Sequence, residues 1–147
     1  MAGKSGKQKC RARFPRVTVL IAFVGLLKRA YPQDPIELVD RGALEAAVES
    51  ARMVFRLARA QPCRARIVLA GAKLFEELIL RHPLVDGNKR LATLTLGTYL
   101  VKNGFPRRRV AACVTEDLAI KVALGRTSYR GVARWLRRCL RSEGRGK

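Results

Sequence analysis

Nine residues between two apolar stretches, H-P-L-V-D-G-N-K-R at positions 82–90, hold the side chains with most capacity for chemistry. Gly87 and Asn88 stand just before a helix expected to begin near Lys89. A helix N-terminus presents unpaired N–H groups and the positive end of a dipole, and a preceding glycine lets an anion approach the backbone. Lys89 and Arg90 place two cations on that first turn, where they oppose the dipole and cost stability unless an anion sits nearby. Asp86 is spaced to hold a divalent cation that bridges phosphate oxygens. His82 is the single histidine of the chain, and histidine is the side chain suited to accepting a proton near neutral pH. A base, a metal carboxylate and a phosphate cradle so close together are the parts of a phosphoryl or nucleotidyl transferase. Singly, each has a blander explanation. A histidine before proline often only ends a helix, D-G-N is a common turn, and Lys-Arg pairs decorate solvated faces.

The elements on either side are what give the combination weight. Positions 65–80 and 91–101 are apolar around nearly their whole circumference, as helices buried on all sides are, so a rigid central pair is expected to hold the loop. Helices are also predicted over 17–30 and 42–59. In the second of these, Leu44, Ala47, Val48, Ala51, Val54, Phe55 and Ala58 recur at three- and four-residue steps. Asn103-Gly104 should end the second central helix. Thr115 should cap a further helix closed by Gly125, and Thr127 or Ser128 a last one reaching Leu140. No stretch alternates as a strand would, and no repeat is present. The fold class is all-α, with a central buried helix pair flanking the loop.

The loop resembles the signature of the Fic/Doc family, H-P-F-x-D/E-G-N-x-R, departing from it at Leu84, where the family has Phe. Residues 40–47, D-R-G-A-L-E-A-A, are similar to the R-D-x-G-L-L-E-S-A segment of the death-on-curing (Doc-like) subgroup, with Val39 before the Asp. The L-x-x-N-G ending at 100–104 fits the same subgroup. The resemblance covers roughly residues 17–140 and implies a Fic/Doc-type helical domain that uses ATP and Mg2+. It implies that His82 is the general base, that Asp86 binds the metal, and that Gly87, Asn88, Lys89 and Arg90 hold the phosphates. Leu84 would anchor the loop in the core. AMP-transferring members usually read G-N-G-R with a second Arg three residues on, where this chain has Lys89 and Thr93. Doc-type toxins share N-K-R and are regarded as kinases. Phosphate transfer to a Ser or Thr hydroxyl of a target protein is therefore preferred over AMP transfer. The S/T-x-x-x-E-G/N pattern of an inhibitory helix is not found, so a separate antitoxin protein is the expected restraint.

Composition sets the outer bounds. One domain of 147 residues, 48% apolar, is long enough to bury a core. With 31 Lys and Arg against 11 Asp and Glu, the net charge of +20 suits acidic proteins or nucleic acid. A competing reading is a catalytically inactive nucleic-acid-binding or interaction module. It would use Arg11, Arg13, Arg16, Arg107, Arg108, Arg109 and a C-terminal helix carrying Arg130, Arg134, Arg137, Arg138 and Arg141. No base-reading motif supports it, and stacking aromatics are few. Residues 1–16 read as a mobile basic arm, 17–141 as the domain, and 142–147 as a basic tail. The apolar run 17–27 superficially resembles a signal peptide, but Lys28 and Arg29 follow it and it is too short to span a bilayer. A helix, no membrane partner and a cytoplasmic location are expected. Cys10, Cys63, Cys113 and Cys139 include no C-x-x-C pair, which argues against zinc. A reducing compartment is the default expectation, with pairing left open.

Overall fold

The computed structural model describes residues 9–141. Among the described residues seven helices succeed one another: α1 (Val17–Ala30), α2 (Arg41–Leu57), α3 (Cys63–Leu80), α4 (Asn88–Lys102), α5 (Arg107–Cys113), α6 (Glu116–Ala123) and α7 (Tyr129–Arg141). Among the described residues the extended backbone amounts to one isolated antiparallel bridge, Leu38 to Leu84. The all-α expectation holds. None of these helices is long and apolar enough to cross a membrane.

Local chemistry explains where the helices start and stop. The carboxylate of Asp40 accepts from the N–H of Ala43 at 3.0 Å, so the Asp40 side chain is the cap of α2. Thr115 caps α6 through Leu118 N–H. Gly104 and Gly125 end α4 and α6 with positive φ, 100° and 73°. The start of α7 differs from expectation. Its first N–H, from Tyr129, donates at 2.9 Å to Glu76 of α3, so a carboxylate from another helix does the capping. The short α5 has no counterpart among the expected helices. Its R-R-R-V-A-A-C sequence shows one turn of pattern at most, and Arg109 stabilises it by donating to the carbonyls of Cys139 and Leu140 near the end of α7.

The two apolar helices do form the centre. α3 packs against α2, α4, α6 and α7, and α4 against α1, α3, α5 and α6. Gly71 permits a close approach between them, since a Cβ there would lie 2.6 Å from the ring of Tyr99. Tyr99 in turn donates its hydroxyl to the Ile67 carbonyl at 2.8 Å, and burial pushes that phenol well above its ordinary range. At the loop end of α3, Glu77 receives both Arg81 and Lys73. Burial alone would raise its pKa, yet these two cations outweigh burial and hold the carboxyl below the usual range.

The described part of the N-terminal arm is docked rather than free. Cys10 is joined to Cys63 at the start of α3. The backbone N–H of Arg13 donates to Asn103 Oδ1 at 2.8 Å, and Asn103 Nδ2 returns a bond to the Arg13 carbonyl. Phe14 inserts its ring against Phe55 and Tyr99. The remainder of that arm, residues 1–8, and the tail 142–147 lie outside the described residues. A second disulfide, Cys113–Cys139, ties α5 to α7. Charge told of an arm; the apolar Phe14 and the cysteine at its edge decide that it docks.

Gly71→Ala separates packing from helix propensity. Propensity favours Ala by about 1 kcal/mol, whereas overpacking against Tyr99 costs about 1–3 kcal/mol. Thermal denaturation is expected to show a lower Tm for the variant; an equal or higher Tm would mean the helices do not meet as closely as described.

Candidate active site

Residues 81–87 join α3 to α4, and hydrogen bonds hold the middle of this loop, Pro83 to Val85, from both sides. The Pro83 carbonyl accepts from Val39 N at 2.9 Å and Asp40 N at 3.2 Å, and Val85 N donates to the Glu37 carbonyl at 2.9 Å. The connector between α1 and α2 thus pins the loop from outside. From inside, Leu84 is 2% exposed and joins the core, which fits the anchoring role expected for it. Ile36 fills the space beneath Gly87, whose φ of 92° favours glycine.

Asn88 completes the clamp. Its Oδ1 accepts from Leu84 N and its Nδ2 donates to the Leu84 carbonyl, both at 2.9 Å. Those two bonds fix which way the amide points. The second hydrogen on Nδ2 then faces His82 Nδ1 at 3.3 Å, making that ring nitrogen an acceptor and leaving the proton of the neutral ring on Nε2. His82 is exposed and, at φ 49°, is the one described non-glycine residue with positive φ. Such strain persists where surroundings over-determine it, and it clusters at functional sites.

The start of α4 has no side-chain cap. Among the described residues, no protein acceptor meets the N–H groups of Asn88, Lys89 and Arg90. Side chains and dipole converge on one cleft of about 720 Å3, which His82, Asp86, Gly87, Asn88, Lys89 and Arg90 all line. All six residues singled out from sequence are therefore brought together, but two are oriented differently from expectation. The amide of Asn88 braces the loop and leaves only its backbone N–H for an anion. The guanidinium of Arg90 pairs with Asp34 at 2.8 Å and lies 3.9 Å from the centre of the Tyr31 ring.

Tyr31, Asp34, Thr93 and Glu116 are the neighbours that sequence reasoning did not assign to the site. Tyr31 and Asp34 lie in the Y-P-Q-D-P stretch between α1 and α2, and Glu116 is the first residue of α6. Glu116 lines the cleft with Asp86 and Lys89, while Thr93 lines it with its hydroxyl bonded back to the Lys89 carbonyl at 2.8 Å. Two cations thus face three carboxylates, counting Asp34. A polyanion would meet an electrostatically mixed cleft and would need a counter-cation of its own. Among the described residues no three His, Cys, Asp or Glu side chains are grouped to hold a metal unaided. No protein-family model matches this chain, and no curated protein is significantly similar to it.

Asn88→Ala would leave the buried N–H and carbonyl of Leu84 without partners, at about 1–3 kcal/mol for each group. Urea denaturation should register the loss, and the Leu84 amide should exchange with solvent faster. Unchanged stability with slow exchange at Leu84 would show that other contacts hold the loop.

Proposed function

We propose that the cleft takes a nucleoside triphosphate with Mg2+, and that the protein moves the terminal phosphoryl group onto a Ser or Thr hydroxyl of a target protein. One observation carries this reading: an exposed imidazole, an exposed carboxylate and an uncapped helix N-terminus open onto the same cleft of about 720 Å3. The Fic/Doc resemblance of residues 82–90 supports it independently, and on that basis the α3–loop–α4 unit is assigned as a Fic/Doc-type core. The Doc-like features extend the proposal to a toxin restrained by an antitoxin protein.

Each residue has a part that follows from its position. The N–H groups of Asn88, Lys89 and Arg90 receive phosphate oxygens, and the Lys89 ammonium adds charge. Asp86 would hold Mg2+, which when bound neutralises phosphate charge. Arg90 joins only by exchanging Asp34 for phosphate. The hydroxyl oxygen of the target bonds to the γ-phosphorus, the bond from γ-phosphorus to the bridging oxygen breaks, and ADP leaves. His82 takes the hydroxyl proton. With Nδ1 accepting from Asn88, the neutral ring would carry its proton on Nε2, and must first shift that proton to Nδ1 or turn over. Either change gives up the 3.3 Å contact with Asn88, which lies at the long, weak end of hydrogen bonding and costs little. Positioning and electrostatics carry most of the rate in such transfers.

ATP as donor implies a cytoplasmic setting. Two disulfides sit more naturally in oxidising surroundings, or in the cytosol of hyperthermophiles, where they are tolerated.

The test is labelled ATP with lysate, wild type beside His82→Ala. Loss of the base should slow labelling by about 10²–10⁴-fold. Label from the γ-position and none from the α-position supports phosphate transfer, while α-label on protein would point to AMP transfer. Equal labelling by both proteins removes His82 from the mechanism, and labelling by neither favours the binding-module reading.

A further inference from the structure

The last helix divides its faces cleanly. In α7 the apolar residues Val132, Ala133, Leu136 and Leu140 are buried, and the exposed side holds Arg130, Arg134, Arg137, Arg138 and Arg141. On a helix of 3.6 residues per turn these five fall within an arc of about 100° and run along about 16 Å. Neither α7 nor the adjoining α5 contains an acidic residue. None of the five arginines makes an ion pair among the described residues. Other surface helices balance their charges: α2 pairs Arg41 with Glu45 and Arg56 with Glu49, and α6 pairs Lys121 with Asp117. Like charges three and four residues apart destabilise a helix, and Arg130 on the first turn also opposes the dipole. A face built this way is stabilised when a polyanion covers it.

The neighbours of the stripe narrow the choice of polyanion. Trp135, the one tryptophan of the chain, borders it three residues before Arg138 and is 40% exposed. Its indole N–H donates to the Cys113 carbonyl of α5 at 2.9 Å, so its polar atom is engaged and the ring carbons meet solvent. A ring beside phosphate-binding cations accepts the unstacked bases of a single strand. Every cation of the stripe is an arginine, whose planar fork matches phosphate oxygens. The apolar face of α7 is turned to the core, so it has none to sink into a bilayer and only Trp135 to anchor a peptide. The Cys113–Cys139 disulfide and the bonds from Arg109 to the Cys139 and Leu140 carbonyls tie α5 to α7. They bring the exposed Arg107 and Arg108 to the C-terminal half of the same helix.

We propose that the α5–α7 face binds single-stranded nucleic acid without regard to sequence, with phosphates along the arginines and a base stacked on Trp135. None of these residues lines the cleft around His82, so the inference stands apart from phosphoryl transfer.

Because Trp135 is the one tryptophan, intrinsic fluorescence reads this face directly. The full-length protein is titrated with oligodeoxythymidylate of about 12 nucleotides, inside the usual range for such sites, at several salt concentrations. Stacking should quench the emission saturably. The logarithm of the binding constant should fall against the logarithm of salt concentration with a slope of about −3.5, as for five phosphate contacts on a single strand. In the double variant R137Q/R138Q the slope should be about −2. Both side chains are exposed and unpaired, so its Tm should match wild type. The variant R13Q/R16Q, altered on the N-terminal segment, should quench with the wild-type slope. Polyglutamate of similar length, lacking a base to stack, should bind about tenfold more weakly and leave the emission unchanged. The proposal is overturned if the oligonucleotide does not quench, if a duplex quenches as strongly, or if R137Q/R138Q binds as wild type does. Polyglutamate binding as tightly would also overturn it, making the face a dock for an acidic protein. Should the α7 double variant not fold, R134Q alone decides, with a slope of about −2.8 expected and an unchanged slope contradicting the proposal.

Discussion

The carboxamide of Asn88 spends both its ends on one residue, Leu84, and by doing so closes the loop that carries His82, Asp86 and Gly87 onto the first turn of α4. The arrangement is economical because Leu84 is also the loop's apolar anchor. One side chain buries the loop and another satisfies the backbone groups that burial would orphan. With the loop closed in this way, the helix start stays uncapped, the imidazole stays exposed, and both face the same cleft. Were Asn88 instead to reach for a ligand, Leu84 would lose its partners. Its conformation in the structure is a bracing one, which leaves the backbone N–H groups and the Lys89 ammonium as the donors this turn presents to the cleft.

Much of this was legible in the sequence, for identifiable reasons. Two segments apolar on every side have one stable placement, the middle, and α3 and α4 occupy it. The cap at Thr115 follows from a short polar side chain before apolar periodicity, and Gly104 and Gly125 end helices because their backbone turns left-handed. Contacts between distant segments left weaker traces. Nothing in the turn Y-P-Q-D-P announces that Tyr31 and Asp34 will take Arg90, or that Glu37, Val39 and Asp40 will pin the loop through main-chain bonds. Side-chain identity carries no record of main-chain pairing. The capping of α7 by Glu76 is of the same kind, since a carboxylate in the middle of α3 reads as a surface charge until the fold brings Tyr129 to it.

The excess positive charge is spread over structural and free groups alike. Arg66 donates to the Phe55 carbonyl, Arg109 to the end of α7, and Arg90 to Asp34, so a part of the +20 is internal bracing. The two disulfides work in the same direction, fixing the N-terminal segment to α3 and α5 to α7. Among the described residues Lys89 makes no ion pair, and it lines the cleft with His82 and Asp86.

The central claim is that the turn at the start of α4 receives the phosphates of a nucleotide. Amide NMR of the 15N-labelled protein titrated with Mg-ATP addresses it without any target protein. Saturable shifts should concentrate at the amides of Gly87, Asn88, Lys89 and Arg90, with His82 following, and inorganic sulfate should compete weakly for the same amides. A titration that leaves those amides unmoved, or moves only exposed arginines in a manner abolished by moderate salt, would contradict the account.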